Sequence, residues 1–347
     1  MLELHALTLA DERFALPLAV FGRSVLDHLR EGALLRLTVI DGGLTPATRR
    51  RLLDSWDNRI TVAWHEPGLG DLASLSGQRI PPLTLARLRV ASLLPEDCPR
   101  VLVLDADQLE FTDLARLYEE PFGGAAVLAP RDVFIPTVSS PNGLAFAAEL
   151  GLAPDTPFLC GAMLVIDLRA WRAEGIEDRA IQFVRRHAHR LRTFDQDALN
   201  AVLAGRWHVL DPRWQVQPRA LELSPSVTPH LDRQGRALLR CDPWVVHFSG
   251  RLKPWLYRGR SPFDDAFRAT LARTAFAGDR PPSPWRDWAY RLYDGPLRRL
   301  AYPLELLADA WLRRTAFHRY RRLGLSQTDH GAPGGKTPVS REEKPAS

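Results

Sequence analysis

Short apolar runs alternate with amphipathic stretches through most of the chain. Residues 2–9 are mainly apolar, interrupted by His5 and Thr8, and stop at Asp11-Glu12-Arg13-Phe14. Leu18, Val20, Phe21, Val25 and Leu29 then recur at helical spacing over residues 15–29. Residues 35–40 form a second run, closed by Asp41-Gly42-Gly43, and Thr45 precedes a polar helical stretch that ends in Leu52-Leu53. Residues 60–64 make a third run. Apolar runs bounded by turn residues predict strands, and the helical spacing between them predicts crossovers. Such β-α-β-α-β alternation predicts a mostly parallel sheet, the layout of a nucleotide-binding half.

The alternation continues. A helix over 83–94 carries Arg87 and Arg89 into the apolar run Val101-Leu102-Val103-Leu104. A helical turn over 113–118 and a strand over 125–129 follow, the latter ending at Arg131-Asp132. Residues 158–168 are apolar with a small centre, and a helix starts at Arg169. Phe194-Asp195-Gln196-Asp197 precedes a helix over 198–203, and residues 244–248 read as a late strand. The fold class predicted is α/β, a single Rossmann-like domain over residues 1–280 with a mostly parallel central sheet.

Val101 to Leu104 reads as a strand buried on both faces, and it runs directly into Asp105-Ala106-Asp107. Open α/β sheets place ligands at the carboxyl ends of their strands. Two carboxylates one residue apart repel unless a cation lies between them, and hard oxygens suit Mg²⁺ or Mn²⁺. The plainer alternative is a pair of solvated turn residues. No G-x-G-x-x-G follows the first strand and no G-x-x-x-x-G-K-[ST] occurs, which disfavours a dinucleotide-binding domain and a P-loop NTPase.

Composition narrows the classes further. The 347 residues are 45% hydrophobic and 25% charged, ordinary globular values. Cys98, Cys160 and Cys241 are odd in number and widely spaced, so neither a disulfide framework nor a zinc knuckle is expected and a reducing cytoplasm is. Residues 1–5 lack the pattern of a signal peptide, and no run approaches the roughly 18 apolar residues of a spanning helix. The net charge is +5 with arginines spread along the whole chain, and no nucleic-acid motif appears, so nucleic acid is not an expected partner. Lys253, Lys336 and Lys344 are the only lysines, which leaves Lys253 alone in the predicted domain.

The order of these features resembles glycosyltransferase family 8, which includes lipopolysaccharide galactosyl- and glucosyltransferases and the glycogenins. Six stretches carry the resemblance: 10–15 (ADERFA), 83–88 (LTLARL), 103–107 (VLDAD), 160–162 (CGA), 195–200 (DQDALN) and 247–255 (HFSGRLKPW). It implies a GT-A fold, a divalent metal, a nucleotide-sugar donor and retention of anomeric configuration. Asp105, Asp107 and His247 would then hold the metal, and imidazole beside two carboxylates favours Mn²⁺ over Mg²⁺. The alternative for His247 is an ordinary strand histidine. Lys253 would bind a phosphate oxygen across the turn at Gly250, a point charge suited to that task, and the alternative is a surface lysine.

The resemblance also implies that Asp11, Arg13 and Phe14 hold base and ribose, with Arg87 and Ala106 near the donor. Phe14 and Arg13 stand where the family often has tyrosine and asparagine. Asp132, Asp195 and Gln196 would line the sugar pocket, with Gln196 beside the anomeric carbon as an amide too poor to attack, which fits front-face displacement, and Asp195 as the fallback nucleophile for a double displacement. Acidic residues at a helix N-terminus are also favourable without any such role. Cys160-Gly161-Ala162 replaces the usual Asn-Ala-Gly, which leaves the donor sugar open between galactose, glucose and an altered sugar.

Residues 281–325 interleave aromatics with arginine, such as Trp285, Arg286, Trp288, Tyr290 and Arg291, and residues 326–347 form a polar tail. The former read either as a helical extension held on an anionic membrane surface or as one packed on the core, and the latter as a flexible tail. The function expected is transfer of a hexose from UDP-galactose or UDP-glucose to a cell-surface or lipid-linked glycan, in the cytoplasm or at the inner face of its membrane. The alternative is a non-catalytic nucleotide-sugar or glycan-binding protein of the same fold.

Overall fold

The structure is a computed structural model and describes residues 2–68, 70, 82–222, 228, 230–250, 253–256 and 261–279. The predicted segments 281–325 and 326–347 lie outside the described residues. The predicted strands form as β1 (Leu2–Ala10), β2 (Ala33–Asp41), β3 (Ile60–His65), β4 (Arg100–Leu104), β6 (Val127–Ala129), β7 (Met163–Asp167) and β9 (Val245–His247). Two short strands were not expected, β5 (Gln108–Glu110) and β8 (His208–Val209).

Seven strands make one sheet in the order β3-β2-β1-β4-β7-β6-β8. β1 runs parallel to β2 and β4, β2 to β3, and β6 to β8, while β7 is antiparallel to both its neighbours. The pleat of β4 shows why its sequence is apolar throughout. Leu102 and Leu104 face one core, with Leu4, Leu35 and Leu37 and with Leu18, Phe21 and Val25 of α1 (Ala15–His28). Val101 and Val103 face the other, with Leu7, Leu164 and Ile166 and with Trp171, Val184 and Leu199 from three later helices. A strand covered by helices on both sides has no polar face. Each of these large side chains contributes about 1.5–3 kcal/mol through burial.

Local chemistry sets the element ends. Thr45 Oγ1 caps α2 (Pro46–Asp54) by accepting from Thr48 N at 3.2 Å, and Pro46 occupies the first turn, where no N–H is needed. Asp11 caps the short turn Glu12–Phe14 by accepting from Arg13 N at 2.9 Å. The helix expected over 83–94 is broken, with α-helix at Pro82–Ala86 and Val90–Leu93 and a 3-10 turn at Arg87–Arg89 between them. Arg87 in that turn is anchored by buried carboxylates described below, a tertiary constraint that helix periodicity does not report.

β5 and β9 form a separate antiparallel pair, with Gln108 opposite His247, Leu109 opposite Val246 and Glu110 opposite Val245. Phe248 N donates to Asp107 O at 3.0 Å, and Asp105 N donates to Ala162 O at 3.0 Å. The first bond brings the end of β4 and the end of β9 together, although about 140 residues separate them, and the second ties the end of β4 to the start of β7.

Glu110 is 1% exposed, and neither of its carboxyl oxygens has a hydrogen-bond partner among the described residues. Burial pushes its pKa well above the ordinary 4.5. The folded chain therefore keeps a proton that the unfolded chain releases, and stability from this site falls as pH rises past that ordinary value. Glu110→Gln should gain stability relative to the wild type between about pH 4 and about pH 8. Urea unfolding at the two ends of that range measures it, and a difference independent of pH would overturn the account.

Candidate active site

A cleft of about 920 Å³ opens at the carboxyl ends of β1, β2 and β4. Asp11, Arg13 and Phe14 line it from β1, Arg87 from the broken helix, and Asp105, Ala106 and Asp107 from β4. His247, Gly250 and Lys253 close it from the segment after β9. Gly42 allows Leu83 and Asp11 to approach the chain just after β2, since a Cβ would lie 2.9 Å from Leu83 Cδ2 and 3.1 Å from Asp11 Cβ. Gly250 has φ +80°, a left-handed conformation that returns the chain toward the carboxylates at little cost for glycine.

Asp105, Asp107 and His247 each present one ligand atom within 4.8 Å of the others. His247 Nε2 lies 3.2 Å from Asp107 Oδ1 and 3.6 Å from Asp105 Oδ2. Lys253 Nζ bonds Asp107 Oδ2 and donates to Phe248 O at 2.6 Å. Burial by itself would raise the pKa of Asp107, but His247 and then Lys253 outweigh it and hold the carboxyl below the usual range. Two carboxylates and an imidazole nitrogen match the donor set of Mn²⁺ or Mg²⁺. The ammonium of Lys253 sits against one of those carboxylates and offsets part of its charge.

After β1, Arg13 folds back on Asp11, with Nε and Nη2 at 2.9 and 2.6 Å from Oδ2. Phe14 meets Trp255 edge to face at 6.2 Å, and Lys253 Nζ lies 5.6 Å from the Phe14 ring and 5.2 Å from the Trp255 ring. Phe14 is therefore a partly exposed wall of the cleft that also packs against the core.

Asp132, Cys160, Asp195 and Gln196 lie behind this cleft, joined to it through Arg87. Arg87 Nη1 is 3.1 Å from Asp105 Oδ1 and donates to Gly161 O at 2.8 Å. Its Nε lies 2.9 Å from Asp195 Oδ2 but is poorly aligned, so this contact is Coulombic rather than a good hydrogen bond. Burial pushes Asp195 up to about 6, with Arg87 opposing and Asp105 adding to the rise. Gln196 is held at both ends: Oε1 accepts from Gly161 N at 2.8 Å and Nε2 donates to Asp132 Oδ2 at 2.9 Å. Burial also raises Asp132, against the bonds it accepts from Gln196, Phe134 N and Ile135 N.

The helix Asp195–Leu203 starts earlier than its apolar spacing suggests. Asp197 fixes the turn by accepting from Arg192 N at 2.6 Å, Thr193 N at 2.9 Å and Thr193 Oγ1 at 2.7 Å. Phe194 takes φ 59° immediately before Asp195, an uncommon conformation for a bulky residue that the surrounding bonds impose. Asn200 ties this helix to Leu159 through both its amide atoms, at 2.9 and 3.2 Å. The Cys160 thiol is buried, its pKa raised by burial and by Asp132, and Sγ lies 3.6 Å from Gln215 Nε2.

Sequence reading missed Asp41 and Gln215. Asp41 is 5% exposed, accepts from Gly43 N and Leu44 N at 2.8 and 2.6 Å, and pairs with Arg49 at 2.5 Å on the cleft wall. Its place at the end of the second strand, beside Gly42-Gly43, was the available signal. Gln215 carries no signal in its neighbours Trp214 and Val216.

Arg87→Met would leave Asp105 and Asp195 facing each other without their shared cation. A loss of about 3–5 kcal/mol of stability is expected, and Asp195→Asn in the same chain should recover part of it. Denaturant unfolding of the single and double variants measures the coupling. Additive effects would mean that Arg87 does not bridge these carboxylates.

Comparison with known proteins agrees with this geometry. The model of the family "Glycosyl transferase family 8" matches residues 6–259. General stress protein A of Bacillus subtilis is 25% identical over 270 residues, covering 76% of this chain and 91% of that protein. The galactosyltransferase LgtC, solved in complex with donor and acceptor sugar analogues, superposes with a TM-score of 0.64 at 24% identity, over 82% of this chain and 99% of LgtC. The bifunctional glycosyltransferase WbbM gives a TM-score of 0.66 at 18% identity, over 83% of this chain and 51% of WbbM. The family match spans most of the chain and the GT-A-like sheet agrees with it, so the chain belongs to glycosyl transferase family 8 and is a glycosyltransferase.

Proposed function

We propose that this glycosyltransferase moves a hexose from a UDP-sugar, UDP-galactose or UDP-glucose, to a cell-surface or lipid-linked glycan with retention of configuration. Mn²⁺ is the metal proposed, with Mg²⁺ as the alternative. The observation that carries the reading is the meeting of Asp105, Asp107, His247 and Lys253 in one cleft that Asp11 and Phe14 also line. When bound, the cation supplies Lewis-acid stabilisation of the charge that develops on the leaving diphosphate.

The chain's own residues do the rest. Lys253 is the one described lysine, and its ammonium is available to a phosphate oxygen once Asp107 is shared with the metal. Phe14 offers an apolar face to the base. Gln196 stands on the sugar side with its amide oxygen already engaged by Gly161, so it orients rather than attacks. Asp195 is held by Arg87 behind Gly161, which favours front-face substitution, with the leaving diphosphate taking the acceptor proton, over a covalent intermediate on this carboxylate. The acceptor side is proposed at the inner membrane face, with residues 281–325 as the attachment. Among the described residues no helix is long and apolar enough to cross a membrane.

Asp107→Asn removes a metal ligand and the partner of Lys253. Turnover of the accepted UDP-sugar should fall at least about a hundredfold, read as UDP released with Mn²⁺ present. Near-normal turnover in this variant would show the metal assignment to be wrong. A screen of nucleotide sugars with Mn²⁺, read by the same release, should give UDP-hexoses as the preferred donors, and a purine nucleotide sugar in first place would refute the donor class.

A further inference from the structure

His247 turns one ring nitrogen to the carboxylates and the other to Gln215. Nε2 lies 3.2 Å from Asp107 Oδ1, and Nδ1 lies 2.6 Å from the carboxamide nitrogen of Gln215. Gln215 is 5% exposed. Its backbone neighbour is fixed: Val216 N donates to Val245 O at 2.9 Å, and His247 N donates to Val216 O at 2.8 Å. The distance between Gln215 and the ring is therefore set by the main chain, and only the end of the Gln215 side chain is free to turn.

In this arrangement the Gln215 amide donates to Nδ1, which places the single ring proton on Nε2, pointing at Asp107. A cation held by Asp105, Asp107 and Nε2 needs the opposite tautomer, with the lone pair on Nε2 and the proton on Nδ1. Nδ1–H then requires an acceptor, and the atom Gln215 now presents is a donor. Turning the carboxamide by half a rotation exchanges its oxygen and nitrogen with no change of shape.

One neighbour, Cys160, fits both orientations, and a second, Gln108, fits the present one. Cys160 Sγ lies 3.6 Å from the same Gln215 nitrogen, and burial keeps the thiol protonated. It accepts weakly from the amide nitrogen and donates S–H to the amide oxygen. Gln108 gives its Nε2 to Ala162 O at 2.8 Å and approaches Gln215 Oε1 at 3.5 Å. Turning Gln215 gives up that 3.5 Å contact, since the Gln108 atom that faces it is a donor.

We infer that Gln215 is a positioning residue that sets the ring tautomer of His247, turning its carboxamide over between the cation-free and cation-bound forms, with the Cys160 thiol serving either orientation. This rests on the reading of Asp105, Asp107 and His247 as metal ligands, but the tautomer is measurable without a metal.

The test uses the full chain with ¹⁵N-labelled histidine and ¹H–¹⁵N correlation spectra of the ring, with His247 assigned by comparison with His247→Asn. The metal-free wild type should show His247 protonated on Nε2, and addition of Mg²⁺ should move the proton to Nδ1. Gln215→Glu, which only accepts, should show Nδ1–H with no cation present. Gln215→Met should weaken Mn²⁺ binding by about tenfold to a hundredfold, read by electron paramagnetic resonance of free Mn²⁺. Gln215→Glu keeps the size of the side chain and should bind at least as well as the wild type, which separates loss of an acceptor from loss of packing. An Nδ1–H ring in the metal-free wild type, an unchanged tautomer in Gln215→Glu, or undiminished Mn²⁺ binding in Gln215→Met would each overturn the inference. Tautomers that follow Gln215 in a protein that binds no cation would instead sink the metal reading and leave Gln215 in its role.

Discussion

Everything at the site depends on the antiparallel pairing of β5 with β9. Asp105 and Asp107 end one strand early in the chain, and His247 ends another much later. Register places His247 opposite Gln108, next to Asp107, and the bond from Phe248 N to Asp107 O fixes the spacing. Three paired residues on each side are a short ladder. Its stability comes from the core behind it, where Leu109, Val245 and Val246 are buried with Trp214 and Phe248. A one-residue slip would turn His247 to the opposite face and separate it from the carboxylates.

Charge is the second constraint. Asp105, Asp107, Asp132 and Asp195 are brought close together with little water around them. Arg87 is shared between Asp105 and Asp195, and Lys253 with His247 answers Asp107. The outcome is uneven. Asp107 is held ionised, whereas Asp195 and Asp132 are pushed upward because burial outweighs their partners. The carboxylate beside Lys253 is thus held ionised, while those behind Arg87 ionise less readily.

The polar groups behind the ligands are as ordered as the ligands. Gln196, Asn200 and Gln108 are carboxamides bonded into the backbone around Gly161, Leu159 and Ala162, and Gln215 joins Gln108 to Cys160 and His247. Carboxamides donate and accept at once, so they join segments that no strand ladder connects. They also keep the buried loop carbonyls satisfied, which an apolar substitute would not.

Much of this was legible in the sequence. Apolar runs with amphipathic crossovers determined the mostly parallel sheet, because a strand covered on both faces has no polar side. The turn residues after β1 and β4 located the cleft end of the sheet, since Asp11 and Asp105-Ala106-Asp107 follow strands directly and line the cleft. The resemblance over six stretches pointed to His247 and Lys253, and the structure brings both to Asp107. Other features were decided only by tertiary contact. The break at Arg87 answers buried carboxylates from two distant segments, β5 is too short to show a period, and Gln215 matters only because Val216 bridges to β9. Local sequence reports propensity and spacing, but which groups share a buried volume is set by packing.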